Sequence, residues 1–143
     1  MELEKRGTQR KGGRNAEEPG SVLSGAIISC AMQVHTELGP GLLESAYEEC
    51  LCHELAQSGF SFKRQVPIPL TYGNLHLDCG FRLDLVVREL AIVEIKSVDR
   101  LLPVHDSQLL TYLRASGLPL GLLINFNVVH LRHGIRRRAL SAS

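Results

Sequence analysis

The run AIVEIKSV, residues 91–98, constrains this chain more than any other stretch. Strand residues alternate between faces, so Val93 and Ile95 point one way while Glu94 and Lys96 point the other. Acidic and basic side chains are seldom fully buried unless they are paired. Two readings follow. Either the strand is half-solvated and carries a surface ion pair, or a catalytic or metal site is cut into an otherwise apolar sheet.

The segments around this strand set its partners. From Ser24 the apolar residues Ile27, Ala31, Val34 and Leu38 recur at helical spacing, and Gly39-Pro40-Gly41 ends that helix. Leu43, Ala46, Tyr47, Cys50, Leu51 and Leu55 form the stripe of a second helix, closed by Ser58-Gly59. QVPIPLTY then alternates as a strand whose two prolines suit a sheet edge, and Gly73-Asn74 supplies a tight turn. From Leu75 to Leu85 the odd positions are apolar and the even ones mostly polar, which gives a dry side and a wet side with Asp84 on the wet one. After the 91–98 strand, a helix is predicted over 104–115, GLPLGLLINF reads as a buried strand, VVHLRH as a last strand and GIRRRALSAS as a basic end. Helices, a meander of strands, a helix and more strands make a mixed α/β sheet with helices packed against it.

Hairpin arithmetic connects the acids. With a three-residue loop of Arg88, Glu89 and Leu90, Val87 pairs with Ala91, and Asp84 falls opposite Glu94. Opposed side chains share a face, with Cβ atoms about 4.5–5.5 Å apart. Two carboxylates that close raise each other's pKa, and a divalent cation removes the conflict. Lys96 points to the same side, where an ammonium can hold a water or stabilise charge developing on a phosphate. A two-residue loop would send Asp84 to the opposite face and dissolve the site.

Length and composition narrow the rest. The 143 residues fit one domain over 21–143, preceded by a polar, charged, glycine-rich segment, 1–20, that reads as a disordered tail. A net charge of +1 argues by itself for neither nucleic acid nor membrane. No apolar run reaches the about 18 residues of a membrane span, and the N-terminus lacks a signal-peptide core, so no membrane partner and a cytoplasmic location are expected. Cys30, Cys50, Cys52 and Cys79 are then expected to stay reduced. Cys50, Cys52 and His53 lack the spacing and the second ligand pair of a structural zinc site and read as helix residues.

The blocks GPGLLESAYEECL, RQVPIPLTY, FRLDLVV, AIVEIKSV, HDSQLLTYL and GLLINF occur in order from about residue 23 to 138. Together, with Gly41, Glu44 and Tyr47 at G-x-x-E-x-x-Y spacing, they resemble the GxxExxY protein family, a branch of the PD-(D/E)XK nuclease superfamily. The resemblance implies a restriction-endonuclease-like α/β core, a central mixed β-sheet flanked by α-helices, and Mg2+- or Mn2+-dependent hydrolysis of DNA or RNA. It implies Asp84, Glu94 and Lys96 as catalytic residues, with Asp84, Glu94, the Ile95 carbonyl and Glu44 as metal ligands. Gln108, which shares a helical face with His105 and Tyr112, is the implied polar residue reaching the centre from the following helix. Tyr47 is expected to pack, His105 could neighbour a helix cap, and Gln65 is a further polar candidate. Arg132, Arg136, Arg137 and Arg138 form the densest basic cluster, suited to phosphate contacts. A homodimer would supply the two sites that cutting both strands of a duplex needs, and a protein partner or oligomerisation could supply specificity that the small chain has little room for. The competing reading is a non-catalytic module that binds nucleic acid or protein on the same scaffold.

Overall fold

The computed structural model describes residues 20–140. The tail expected over 1–20 therefore lies outside the described residues, apart from Gly20. Helices α1 (Ser21–Leu38) and α2 (Glu44–Gln57) lead into strands β1 (Phe62–Tyr72), β2 (Leu75–Val87) and β3 (Ala91–Lys96). Helix α3 (Pro103–Ser116), strand β4 (Leu120–Asn125), a 3-10 turn (Leu131–Gly134) and strand β5 (Ile135–Ala139) follow. No helix among the described residues is long and apolar enough to cross a membrane.

The five strands lie in chain order, β1-β2-β3-β4-β5. All neighbours are antiparallel except β3 and β4. A parallel pair needs a long crossover, and α3 provides it. Two cores result, one on each face of the sheet. Ile27, Ala31 and Val34 of α1 and Tyr47, Leu51 and Leu55 of α2 cover Leu85, Val87, Val93, Ile95, Leu122 and Ile124. Leu109, Tyr112 and Leu113 of α3 cover Leu83, Val86, Ile92 and Leu123 on the other face. Leu38 and Leu43, at the ends of the two expected stripes, are exposed: Leu38 is the last residue of α1 and Leu43 the cap residue before α2.

The prolines of β1 sit on an edge strand, and the Tyr72↔Leu75 pair closes over Gly73-Asn74 as expected. Two expectations need correction. VVHLRH is not a strand: Val128 and Val129 lie in a loop, and the last strand is formed by IRRRA. Its arginines hang on both faces, Arg137 donating to Ser24 Oγ of α1 and Arg138 lying 2.9 Å from Asp106 of α3. The second correction concerns β2, which has no single dry side. Phe81 and Leu83 pack toward α3, whereas Leu85 and Val87 pack toward α1 and α2. The strand changes face at Asp84.

The facing strand is irregular at the same point. Arg64 pairs with Leu85 and Val66 with Leu83, but the intervening Gln65 has φ of 52° and drops out of the ladder. A non-glycine residue in the left-handed region turns its strand over. Val66 and Ile68 accordingly join the α3 layer, while Phe62 stays with the other.

Candidate active site

The β2–β3 ladder runs Val87↔Ala91, Val86↔Ile92 and Leu85↔Val93. This is the register of the three-residue loop, and continuing it by one step sets Asp84 against Glu94. Side chains take over from backbone there. Asp84 N–H donates to Glu94 Oε2 at 2.9 Å, and Ile95 N–H donates to Asp84 Oδ2 at 2.8 Å. Each carboxylate thus holds the backbone of the other strand with one oxygen and keeps the second, Oδ1 or Oε1, for another ligand.

The pair is not a solvated surface feature. Glu94 is 5 % exposed and Asp84 half-buried. Burial, and then the Asp84 charge, push the Glu94 carboxyl up to about 8, against the opposing pull of the Asp84 N–H and Lys96. Asp84 is also raised, mainly by burial, with Glu48 and Glu44 adding to it and the Ile95 N–H and Lys96 working against it. The repulsion expected from the hairpin is present at Glu94, where the Asp84 charge adds to burial, the larger cause. Lys96 is the half-buried cation whose field reaches both acids.

The backbone adds an oxygen. Phe126 N–H bonds Lys96 O on the β4 side, whereas Ile95 N–H points to the β2 side. A strand residue directs its N–H and C=O to the same side, so the Ile95 carbonyl faces the space beyond the end of the β2 ladder. Among the described residues no group of three or more His, Cys, Asp or Glu side chains is assembled closely enough to hold a metal ion. The oxygens on offer are those of two carboxylates and one carbonyl, a hard donor set suited to Mg2+ or Mn2+.

The α1–α2 turn docks beside this centre, and its sequence shows how. Gly39 and Gly41 take φ of 66° and 102°, which glycine adopts freely. The Tyr47 hydroxyl donates to Gly39 O at 2.6 Å and accepts from Leu42 N–H at 3.1 Å, while its ring stacks on Phe126 with centroids 4.5 Å apart. Ser97 Oγ donates to Leu42 O, and Ser97 N–H reaches Glu44 Oε2 at 3.4 Å. Tyr47 therefore bolts the turn from below, and its hydroxyl does not reach the carboxylates. On the opposite side Asn125, 1 % exposed, fixes the segment after Lys96: its Oδ1 accepts from Val98 N–H and its Nδ2 donates to Val98 O.

Not every expected residue joins the centre. Glu44 is exposed and engaged with Ser97, close enough to repel both acids but held at the rim. Glu48, one turn on, is the buried acid of α2, and its charge acts on Asp84 more strongly than that of Glu44. It accepts hydrogen bonds from Arg64 Nε at 3.0 Å and from Gln65 Nε2 at 3.0 Å, so it holds the left-handed residue opposite Asp84 in place. Glu48 lies at i, i+4 and i+7 with Cys52 and Leu55, a signal that it belongs to the buried stripe. Gln108 is exposed on α3 and bonds neither carboxylate. On that face Tyr112 is buried, and burial, then the charges of Glu94 and Asp84, raise its pKa. His105 serves the helix start, its Nδ1 accepting from Leu102 N–H at 2.9 Å. Asn125 was also legible, as the one polar residue between Ile124 and Phe126.

A family model described as the PD-(D/E)XK nuclease superfamily matches residues 21–138. Comparison with curated proteins and with solved structures gave no match.

Proposed function

The chain belongs to the PD-(D/E)XK nuclease superfamily, and from that premise we propose that it is a metal-dependent nuclease hydrolysing phosphodiester bonds of nucleic acid, with Asp84, Glu94 and Lys96 as its working centre. One observation carries the reading: two acids locked across β2 and β3, both with raised affinity for protons, share their end of the sheet with a lysine. A pair of buried like charges costs stability unless something cationic relieves it. The donor chemistry fits a hard divalent cation held by Asp84 Oδ1, Glu94 Oε1 and the Ile95 carbonyl. When bound there, Mg2+ or Mn2+ supplies Lewis-acid stabilisation of the charge gathering on the phosphoryl oxygens.

The chain's own groups do the rest. Asp84 and Glu94 keep their relative position because each is tied to the other's backbone. Lys96 positions the attacking water and offsets negative charge as the phosphorus becomes five-coordinate. Glu44, on the docked turn, acts from the rim, where it orients water rather than binding the cation directly. Gly41, Glu44 and Tyr47 support the GxxExxY branch, since each has a distinct part in seating that turn beside Ser97.

The purified chain is expected to cut at least one of single- or double-stranded DNA and RNA in Mn2+ or Mg2+, and none with chelator, as followed on gels. A chain that binds the oligonucleotides but cuts none of them in either metal would instead be a binding module on a nuclease scaffold.

A further inference from the structure

The segment VVHLRHG turns sharply after β4 instead of forming a strand. His35 of α1 holds it there, its Nε2 lying 2.7 Å from Val128 O. Between this segment and the α1–α2 turn opens a groove of about 660 Å3, lined by Met32, His35, Gly39, Pro40, His130 and Arg132 among others. Among the described residues that line it, the ionisable side chains are His35, His130 and Arg132, and none is acidic. Arg132 is exposed and has no ion pair among the described residues, unlike Arg138, which lies on Asp106. His133, on the 3-10 turn, meets His130, the residue just before that turn, edge-on with ring centroids 5.9 Å apart.

The groove and the carboxylate centre share a wall. Gly39 and Pro40 line the groove, and the same turn continues to Leu42 and Glu44, which bond Ser97 immediately after Lys96. The Val128 end is tied back through Asn127 N–H to Asn125 Oδ1, the atom that also holds Val98. A polymer lying across the β3–β4 end of the sheet would pass from one to the other over the Gly39–Leu42 turn. We infer that this basic groove binds the phosphodiester backbone of the nucleic acid outside the scissile position, with Arg132 and His130 as its phosphate contacts. The inference rests on the nuclease reading for the identity of the polymer. Charge complementarity selects it: a cleft with cationic and imidazole donors and no carboxylate suits a polyanion, and guanidinium groups match phosphate geometry. The cleft between α1 and α2, by contrast, is lined by Glu37, Glu49 and Glu54 and would repel one.

The test measures binding rather than cutting. In a Lys96→Ala background, with chelator present, affinity for a fluorescent oligonucleotide is followed across a salt series. Adding His130→Ala and Arg132→Ala is expected to weaken binding about tenfold or more and to reduce the salt slope by about one. Arg132→Lys should keep most of the slope, and Arg114→Ala, on a different groove, should leave both quantities unchanged. Unfolding curves confirm that each variant is folded. Unchanged affinity and slope in the double variant overturn the groove, whatever the chain cuts. Loss of binding in a chain that cuts nothing keeps the groove and removes the nuclease.

Discussion

On the proposed nuclease reading, Lys96→Ala is expected to lower the rate of phosphodiester cleavage by about 10²–10⁴-fold, the range for loss of a positioned proton-handling or charge-stabilising group. The fold survives, because the strand is held by backbone bonds and Lys96 belongs to neither core. Single-turnover rates with saturating Mn2+ separate this loss from weaker substrate binding. Lys96→Arg keeps the charge but not the compact ammonium, and should recover binding more than rate. A Lys96→Ala variant that cuts at the parent rate removes Lys96 from the mechanism.

Glu94→Gln is expected to make the metal-free protein more stable at alkaline pH and to abolish the proposed cleavage. The direction follows from the raised carboxyl. Below about pH 4.5, the group's ordinary value, folded and unfolded chains both hold the Glu94 proton and the group costs nothing. As pH rises toward about 8, the unfolded carboxyl ionises freely while the folded one resists, so stability falls across that window. The loss is on the order of a few kcal/mol, and the raised Asp84 carboxyl acts in the same direction. Glutamine keeps an oxygen for the Asp84 N–H and carries no charge. Denaturant unfolding at pH 5 and pH 9 should show a drop in the parent that is much smaller in Glu94→Gln. Equal slopes in the two proteins would mean that Glu94 is not the group responsible.

The centre was legible because hairpin arithmetic is local. Loop length alone set Val87 against Ala91 and carried Asp84 to Glu94, and alternation placed Lys96 with them. The helices and the two hairpins were readable for the same reason, from spacing and turn residues. The face change at Gln65 was not, because glutamine carries no signature of a left-handed conformation; the position is held by Glu48, 17 residues earlier in the chain. That bond also decides which acid of α2 is buried, a choice that helical spacing leaves open between Glu44 and Glu48. Polarity favours Gln108 over Tyr112 in the sequence, whereas α3 buries Tyr112, which feels both acids, and leaves Gln108 exposed. In β5 the three arginines hid a strand, since long basic side chains can lay their stems on apolar neighbours while their heads find partners. VVHLRH misleads in the opposite way: its β-branched residues suggest a strand, but His35 bonds Val128 O and Asn125 holds the preceding Asn127 N–H, which turns the chain.

The most direct test of the paired acids as a cation site is calorimetric titration of the intact chain with Mn2+ near neutral pH. The account predicts saturable binding, with release of protons as the raised carboxyls ionise, and loss of that binding in Asp84→Asn and in Glu94→Gln. A parent chain that takes up no Mn2+, or variants that bind it as tightly as the parent, would contradict it.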